Sequence, residues 1–218
     1  MNQPRAFLAR IDLNLQDRAV QRDLRDANQM HKTLMRMVPD GLGPQARRIT
    51  GMLYRLDTVE HGTILMVQAS NVLDTSRLPD RYGRTQTRDL TPMFTALRKG
   101  LGVRYRIVVN PVKRERLPLE RKDQRGRIVP LTGADADQWW IRRAADAGLE
   151  LHTLTPAAVP AVLSRTTDAS GMRHSLLRFD GTATVTDPAA LTEALLSGIG
   201  RGKAYGAGLL SLAPAHTA

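Results

Sequence analysis

Two periods of hydrophobic residues run along the chain, one of two positions and one of three to four, and together they lay out an alternation of strands and helices. Residues 5–15 carry Ala6, Leu8 and Ile11 among polar neighbours, which predicts a first strand. Over 22–38 the apolar positions Ala27, Met30, Leu34 and Met37 follow helical spacing, and Pro39-Asp40-Gly41 ends the run. Residues 52–59 and 63–69 read as two strands joined by Glu60-His61-Gly62, a connection of hairpin length. From 71 to 101 no clean second helix is evident, because Pro79, Gly83 and Pro92 interrupt the pattern, and 88–97 suits either a strand or a short helix. A second series then opens with a strand over 102–112, a basic loop over 113–130 and a helix over 135–147 stopped by Gly148. Strands near Leu151 and over 175–185 follow, then a helix over 187–196 that Asp187 caps and Pro188 starts, and a last strand over 209–212. Two passes through nearly the same βαββαβ order predict an α+β protein of two tandem ferredoxin-like (RRM-like) domains, over 1–97 and 98–218. No sequence repeat relates the halves, so the duplication is one of element order.

Composition narrows the function classes. At 218 residues and 42% hydrophobic content the chain can bury a real core. No apolar stretch nears the roughly 20 residues of a membrane-spanning helix, and the opening residues alternate like a strand where a signal peptide would run apolar, so the cytoplasm is the expected compartment. The chain has no cysteine, which removes disulfides, thiolate metal centres and cysteine nucleophiles together. Its formal net charge of +11 points to a polyanion, with nucleic acid the leading class of partner. Eleven Lys and Arg stand against three acids between 98 and 127, although such a run also occurs as a plain solvated loop. Aromatic residues make up only 4%, too few for a broad base-stacking platform, so recognition of a folded RNA through shape and phosphates fits better.

Residues 198–208 gather five glycines around Arg201 and Lys203. Glycines such as Gly200 and Gly202 let a backbone approach a phosphate closely and turn its amides toward the anion, while the two cations add charge. A helix enters this segment and a strand leaves it, the reverse of a nucleotide-binding fingerprint, so a phosphate grip and a flexible turn are both open on chemistry alone. Among the five histidines, at 31, 61, 152, 174 and 216, no two have the spacing of a helical metal pair, and neither metal nor cofactor is expected. Histidine is the side chain best suited to proton transfer near neutrality. His31 sits at the margin of the apolar stripe, where pattern alone favours a core-edge residue over an outward catalytic group. Asp135 and Asp137 look like a magnesium pair, but two acids at a helix start are more often caps and dipole partners. Trp139 and Trp140 are expected as core and flank of the same helix.

Two segments carry a family resemblance. DANQMH at 26–31, leading through Leu34 to Val38-Pro39-Asp40, and GIGRGKAYGAGLLSLAP at 198–214 resemble the CasE family, also called Cse3, the CRISPR repeat endoribonucleases of type I-E systems. YRIVVNPVK at 105–113 is similar to the strand that opens that family's second domain, and 176–185, with Phe179-Asp180-Gly181, agrees as well. The resemblance spans essentially the whole chain, is weakest over 71–97, and implies two ferredoxin-like domains. It further implies binding of a repeat hairpin and metal-free cleavage at the 3′ base of its stem. In that reaction the upstream ribose 2′-hydroxyl attacks the phosphate, leaving 2′,3′-cyclic phosphate and 5′-hydroxyl ends. Retention of the guide RNA within the multi-subunit Cascade complex is implied too.

The family's catalytic histidine falls on His31. A tyrosine common three residues earlier in the family is Asn28 here, which hydrogen-bonds ribose or phosphate but is not a phenolic acid. Lys32 or Lys203 then become candidates for stabilising the phosphorane's charge. RNA contacts are expected from Gly200, Arg201, Gly202 and Lys203 near the cut and from Lys113, Arg114 and Arg116 along the stem. The family's basic hairpin falls near Arg165, Arg173, His174 and Arg178. A subunit of the same fold that caps a guide-RNA hairpin without cutting it is the alternative, and a structural RNA-binding protein, supported by charge alone, is a third class.

Overall fold

A computed structural model describes residues 3–42, 49–116, 126–160, 162–164 and 172–215. The first half holds strand β1 (Phe7–Leu13), helices α1 (Arg18–Arg25) and α2 (Ala27–Met35), strands β2 (Leu53–Val59), β3 (Gly62–Ala69) and β4 (Gly83–Asp89), and a short helix α3 (Thr91–Ala96). Its strands form one antiparallel sheet in the order β2-β3-β1-β4, the ferredoxin-like order. Where that fold places a second helix, between β3 and β4, this chain has only a 3₁₀ turn at Thr75–Arg77. Asp74 caps the turn through Ser76, and the chain returns to extended backbone at Leu78, directly before Pro79, which disfavours a further helical turn. Residues 88–97 turn out to be divided between the end of β4 and α3, with Pro92 in the first turn of the helix.

The single helix expected over 22–38 is two helices. Asp26 is extended (φ −145°, ψ 111°), and its carboxylate accepts the Asn28 N–H at 2.9 Å, capping α2. Asp17 caps α1 through the amides of Ala19 and Val20. A cap residue inside an apolar run breaks the helix without disturbing the hydrophobic period. Met30 and Leu34 of α2 are buried against Ile11, Leu65 and Val67 of the sheet.

The two helices are also tied by a polar cluster around the buried Asp23, with Arg22 closing it from the surface. The Tyr82 hydroxyl donates to Asp23 at 2.9 Å, Arg22 Nε donates to the other Asp23 oxygen at 2.9 Å, and Arg22 Nη2 reaches Thr33 Oγ1 at 3.2 Å. Burial, with the Asp23 carboxylate beside it, pushes the Tyr82 hydroxyl far above its ordinary range. Tyr82→Phe is expected to cost about 1–3 kcal/mol in a urea melt, since it leaves a buried carboxylate short of a donor. Above about pH 10 the phenol ionises in the unfolded chain while the folded state keeps it protonated, so stability falls as pH rises. The variant should lack that part of the alkaline loss.

The second half runs β5 (Gly102–Val109), β6 (Val112–Arg114), β7 (Ile128–Pro130), α4 (Gly133–Asp146), β8 (Leu149–Leu151), β9 (Thr155–Ala158), β10 (Val162–Ser164), β11 (Met172–His174), β12 (Leu177–Val185), α5 (Pro188–Ser197), a 3₁₀ turn at Lys203–Tyr205, and β13 (Leu210–Pro214). Its main sheet has the order β13-β5-β12-β8, again ferredoxin-like, with both helices in place and β9 added against β12. Trp140 is fully buried between Tyr105 and Phe179, with ring centroids 5.7 and 6.0 Å away. Trp139 is buried as well, so both tryptophans belong to the core and neither is a flank. The expected basic loop over 113–130 is closed at its ends by the β6–β7 hairpin, and its middle, 117–125, lies outside the described residues.

The halves meet through Arg55 of β2. Its guanidinium makes two 2.9 Å bonds to Asp57 on the same strand. The remaining nitrogen donates across to the second half, to the Arg106 and Leu209 carbonyls at 3.3 and 3.1 Å and to Ser211 Oγ at 2.9 Å. Gln68 of β3 adds a 2.7 Å bond to the Leu195 carbonyl at the end of α5.

Candidate active site

Helix α2 supplies Asn28 and His31, one turn apart on one side of the helix, both half-buried and both engaged in contacts of their own. Lys32, in the last turn, is exposed and complements the negative end of the helix dipole. The 3₁₀ turn that begins at Lys203 rests directly on α2 and on β2. The first strand of the β10–β11 hairpin also touches α2. Three segments far apart in sequence therefore converge around one helix: the helix with His31, the glycine-rich segment, and a hairpin of the second half.

The glycine-rich segment is a loop with a defined backbone, held by hydrogen bonds to itself and to β5. All five of its glycines have positive φ, between 74° and 91°. At Gly206 the need is also steric, because a Cβ there would stand 3.1 Å from the Tyr54 ring. The loop closes on itself through Ile199 N–H to Gly208 O at 3.0 Å and is anchored to β5 by Gly208 N–H to Val108 O at 2.7 Å. Arg201 is exposed and forms an antiparallel bridge with Asn110, at the end of β5. Gly200, exposed, lies over Trp139. Gly202 caps the 3₁₀ turn in left-handed backbone. Lys203 Nζ donates to the Ser197 carbonyl at 2.7 Å, which holds the ammonium at the carboxyl end of α5.

The other expected RNA contacts are spread over two hairpins. Lys113 and Arg114 lie on β6 and Arg116 follows it, all three exposed. Lys113 faces Asp135 at 3.5 Å and Arg114 reaches the Gly126 carbonyl at 2.7 Å. This hairpin leaves β5 immediately beyond Asn110 and so starts beside Arg201. Arg173 and His174 are on β11, while Arg165 lies outside the described residues. Arg178, on β12, is half-buried and bound to Asp180 at 2.7 Å, and it lines a cleft next to α2. Asp135, in the first turn of α4, carries the Lys113 contact. Among the described residues no three His, Asp or Glu side chains gather in a way that would hold a metal ion.

One basic surface escapes the periodic reading. Arg18, Arg22 and Arg25 of α1 are exposed at helical spacing and border Asp26 and Gln29 at the start of α2. The signal was present as an Asp17 cap followed by arginines at i, i+4 and i+7, but the expected helix began at 22, which left the first of them in a loop. Their position beside the amino end of α2 makes them candidates for phosphate contact.

The chain is similar to known proteins over nearly all of its length. A family model described as CRISPR associated protein matches residues 6–214. The chain is 29% identical over 221 residues to the CRISPR-associated endoribonuclease Cse3 of Thermus thermophilus, covering 95% of this chain and 100% of the relative. The structure of Thermus thermophilus Cse3 bound to an RNA representing a pre-cleavage complex aligns with a TM-score of 0.79 at 27% identity, over 96% of this chain and 100% of that one. A chain of a CRISPR RNA-guided surveillance complex in a pre-nicking state aligns with a TM-score of 0.71 at 37% identity, again over 96% and 100%. With a family model spanning nearly all of its length and these relatives matched from end to end, the chain belongs to the CRISPR-associated protein family, in its CasE (Cse3) branch.

Proposed function

We propose that this protein is a metal-independent endoribonuclease that cuts CRISPR precursor RNA at the 3′ base of each repeat stem-loop and keeps the guide RNA it has made. The observation that carries this reading is the junction of α2 with the glycine-rich loop, which sets the His31 helix against the turn holding Lys203, two residues beyond the exposed Arg201. In the proposed reaction the 2′-hydroxyl upstream of the cut gives up its proton as its oxygen bonds to phosphorus. The bond from phosphorus to the 5′ oxygen breaks, and that oxygen takes a proton. His31 serves one of these transfers, and Arg201, with Lys203 released from Ser197, offsets the charge on the phosphorane. The loop amides and the arginines of α1 hold the flanking phosphates, and the β6–β7 and β10–β11 hairpins hold the stem.

The halves over 1–97 and 98–218 act as the two domains of this machine, and the bound product is carried into a cytoplasmic complex of the Cascade type; the 37%-identical chain belongs to a CRISPR RNA-guided surveillance complex. Among the described residues no helix is long and apolar enough to cross a membrane. Asn28 favours a second reading, a subunit of the same fold that caps the hairpin without cutting it.

Incubation of the protein with cognate repeat RNA in excess EDTA, with end-group analysis of the fragments, separates the two. Cleavage to 2′,3′-cyclic phosphate and 5′-hydroxyl ends is expected. Cleavage that EDTA abolishes contradicts the metal-free step, and tight binding with intact RNA establishes the capping subunit instead.

A further inference from the structure

Beside the junction of α2 and the glycine-rich loop lies a cleft of about 520 Å³ whose walls come from both halves of the fold. Ala27 and Met30 of α2 form one side, and Tyr205 and Gly206 of the loop form another. His31 follows Met30 and stands one turn beyond Ala27, so the cleft opens next to the residue assigned to the chemistry. A volume of this size is typical of small-molecule sites and much larger than a phosphate needs.

Three planar groups line it. Aromatic residues are scarce in this chain, yet two of its four tyrosines, Tyr54 and Tyr205, border this one cleft. Gly206 is the residue that lets the loop settle against the Tyr54 ring. The third planar group is the Arg178 guanidinium, which Asp180 fixes at 2.7 Å, and Asp180 is in turn bound by Arg106. Thr58 and Thr63, directly paired across β2 and β3, also line the cleft, and their hydroxyls can donate or accept. Flat apolar walls, a held guanidinium and two hydroxyls suit an unstacked nucleobase, the form in which proteins read RNA sequence. They suit a phosphate poorly. The occupant's charge also agrees, since a base enters only with its own phosphates, and the chain offers a net +11 to receive them.

We infer that this cleft is a base-binding pocket: a nucleotide flanking the scissile phosphate unstacks and inserts its base between Tyr205 and Arg178, fixing which phosphate faces His31. The inference rests on the endoribonuclease reading and deepens it from cleavage to choice of cleavage position.

The test uses the full chain carrying His31→Ala, so that binding is measured without turnover, and repeat RNAs with 2-aminopurine at each successive position around the cut. One flanking position is expected to change its fluorescence on binding, because stacking on the pocket walls alters the emission of that base. Tyr205→Phe should preserve the change and Tyr205→Leu should reduce it severalfold. Leu24→Trp, at the partly exposed rim of the cleft, should block it by filling the space while leaving the core intact. In the otherwise wild-type enzyme, an abasic site at the same position should slow cleavage about tenfold or shift the cut.

If the enzyme cleaves normally while every 2-aminopurine signal ignores both Tyr205→Leu and Leu24→Trp, the pocket is overturned and the endoribonuclease reading stands. That result is also what a cleft receiving an apolar side chain of a protein partner would give. A flanking base that responds in an RNA the wild type never cuts would keep the pocket and overturn the cleavage reading.

Discussion

Replacing His31 with alanine should lower the rate of repeat-RNA cleavage by about 10²–10⁴-fold, the usual contribution of one positioned proton-transfer group, with little change in RNA affinity. The separation follows from where the residue sits. Helix α2 is fixed by its Asp26 cap, by Met30 and Leu34 in the core, and by the Asp23–Tyr82 cluster, none of which uses the His31 ring. The groups proposed to grip phosphate belong to other elements, namely Arg201 and Lys203 in the loop and Arg18 and Arg25 on α1. Losing the imidazole therefore removes a proton carrier and leaves the binding surface. Single-turnover cleavage and a filter-binding assay on the same preparation make the measurement. Parallel loss of both would mean that His31 positions RNA, and unchanged cleavage would remove it from the chemistry altogether.

Arg55→Met is expected to destabilise the protein by about 3–5 kcal/mol, the largest effect on stability at any single polar residue described above. Its side chain is 3% exposed and that of Asp57 is 8% exposed, so the variant leaves a carboxylate in the interior without its bidentate partner. Arg106 is 4.0 Å from that carboxylate and already bound to Asp180, which limits how far it can compensate. Two carbonyls and the Ser211 hydroxyl lose a donor in the same step. Urea unfolding gives the number. A cost under about 1 kcal/mol would show that apolar contacts alone join the halves, against the expectation for a buried ion pair broken on one side. Adding Asp57→Leu should recover part of the loss, because no lone charge then stays buried.

Much of this architecture was legible in the sequence wherever one face of an element is buried and the other wet. The alternation of Val103, Tyr105, Ile107 and Val109 marked β5, and Asp187-Pro188 marked the start of α5, because each signal has a local cause. The glycine-rich segment was recognisable as a loop between a helix and a strand. What stayed hidden depends on contacts across the chain. The break at Asp26 lies within an unbroken apolar period, whereas the missing helix between β3 and β4 has a local cause around Asp74 and Pro79 and was legible in the interrupted pattern. Arg55 and Asp57 sit at alternate positions of a strand and read as ordinary solvent-facing charges, and only the arrival of the second half buries them. The candidate site was visible as separate parts, His31 and the loop, joined by resemblance. That Lys203 rests on Ser197, and that Tyr205 borders a cleft with Tyr54, are facts of tertiary placement.

The strand order of the second half also bears on how the molecule comes into being. Its last strand, β13, pairs with its first, β5, and the loop that precedes β13 is the one resting on α2. Domains tend to fold as they emerge during synthesis, amino-terminal portion first. Helix α2 with His31 is therefore made early and waits, unaccompanied, until nearly all of the second half has been translated and threaded into its sheet. A nascent chain halted before residue 198 carries the histidine but none of the loop proposed to hold the substrate against it, so on that proposal cleavage waits for the last stretch of synthesis.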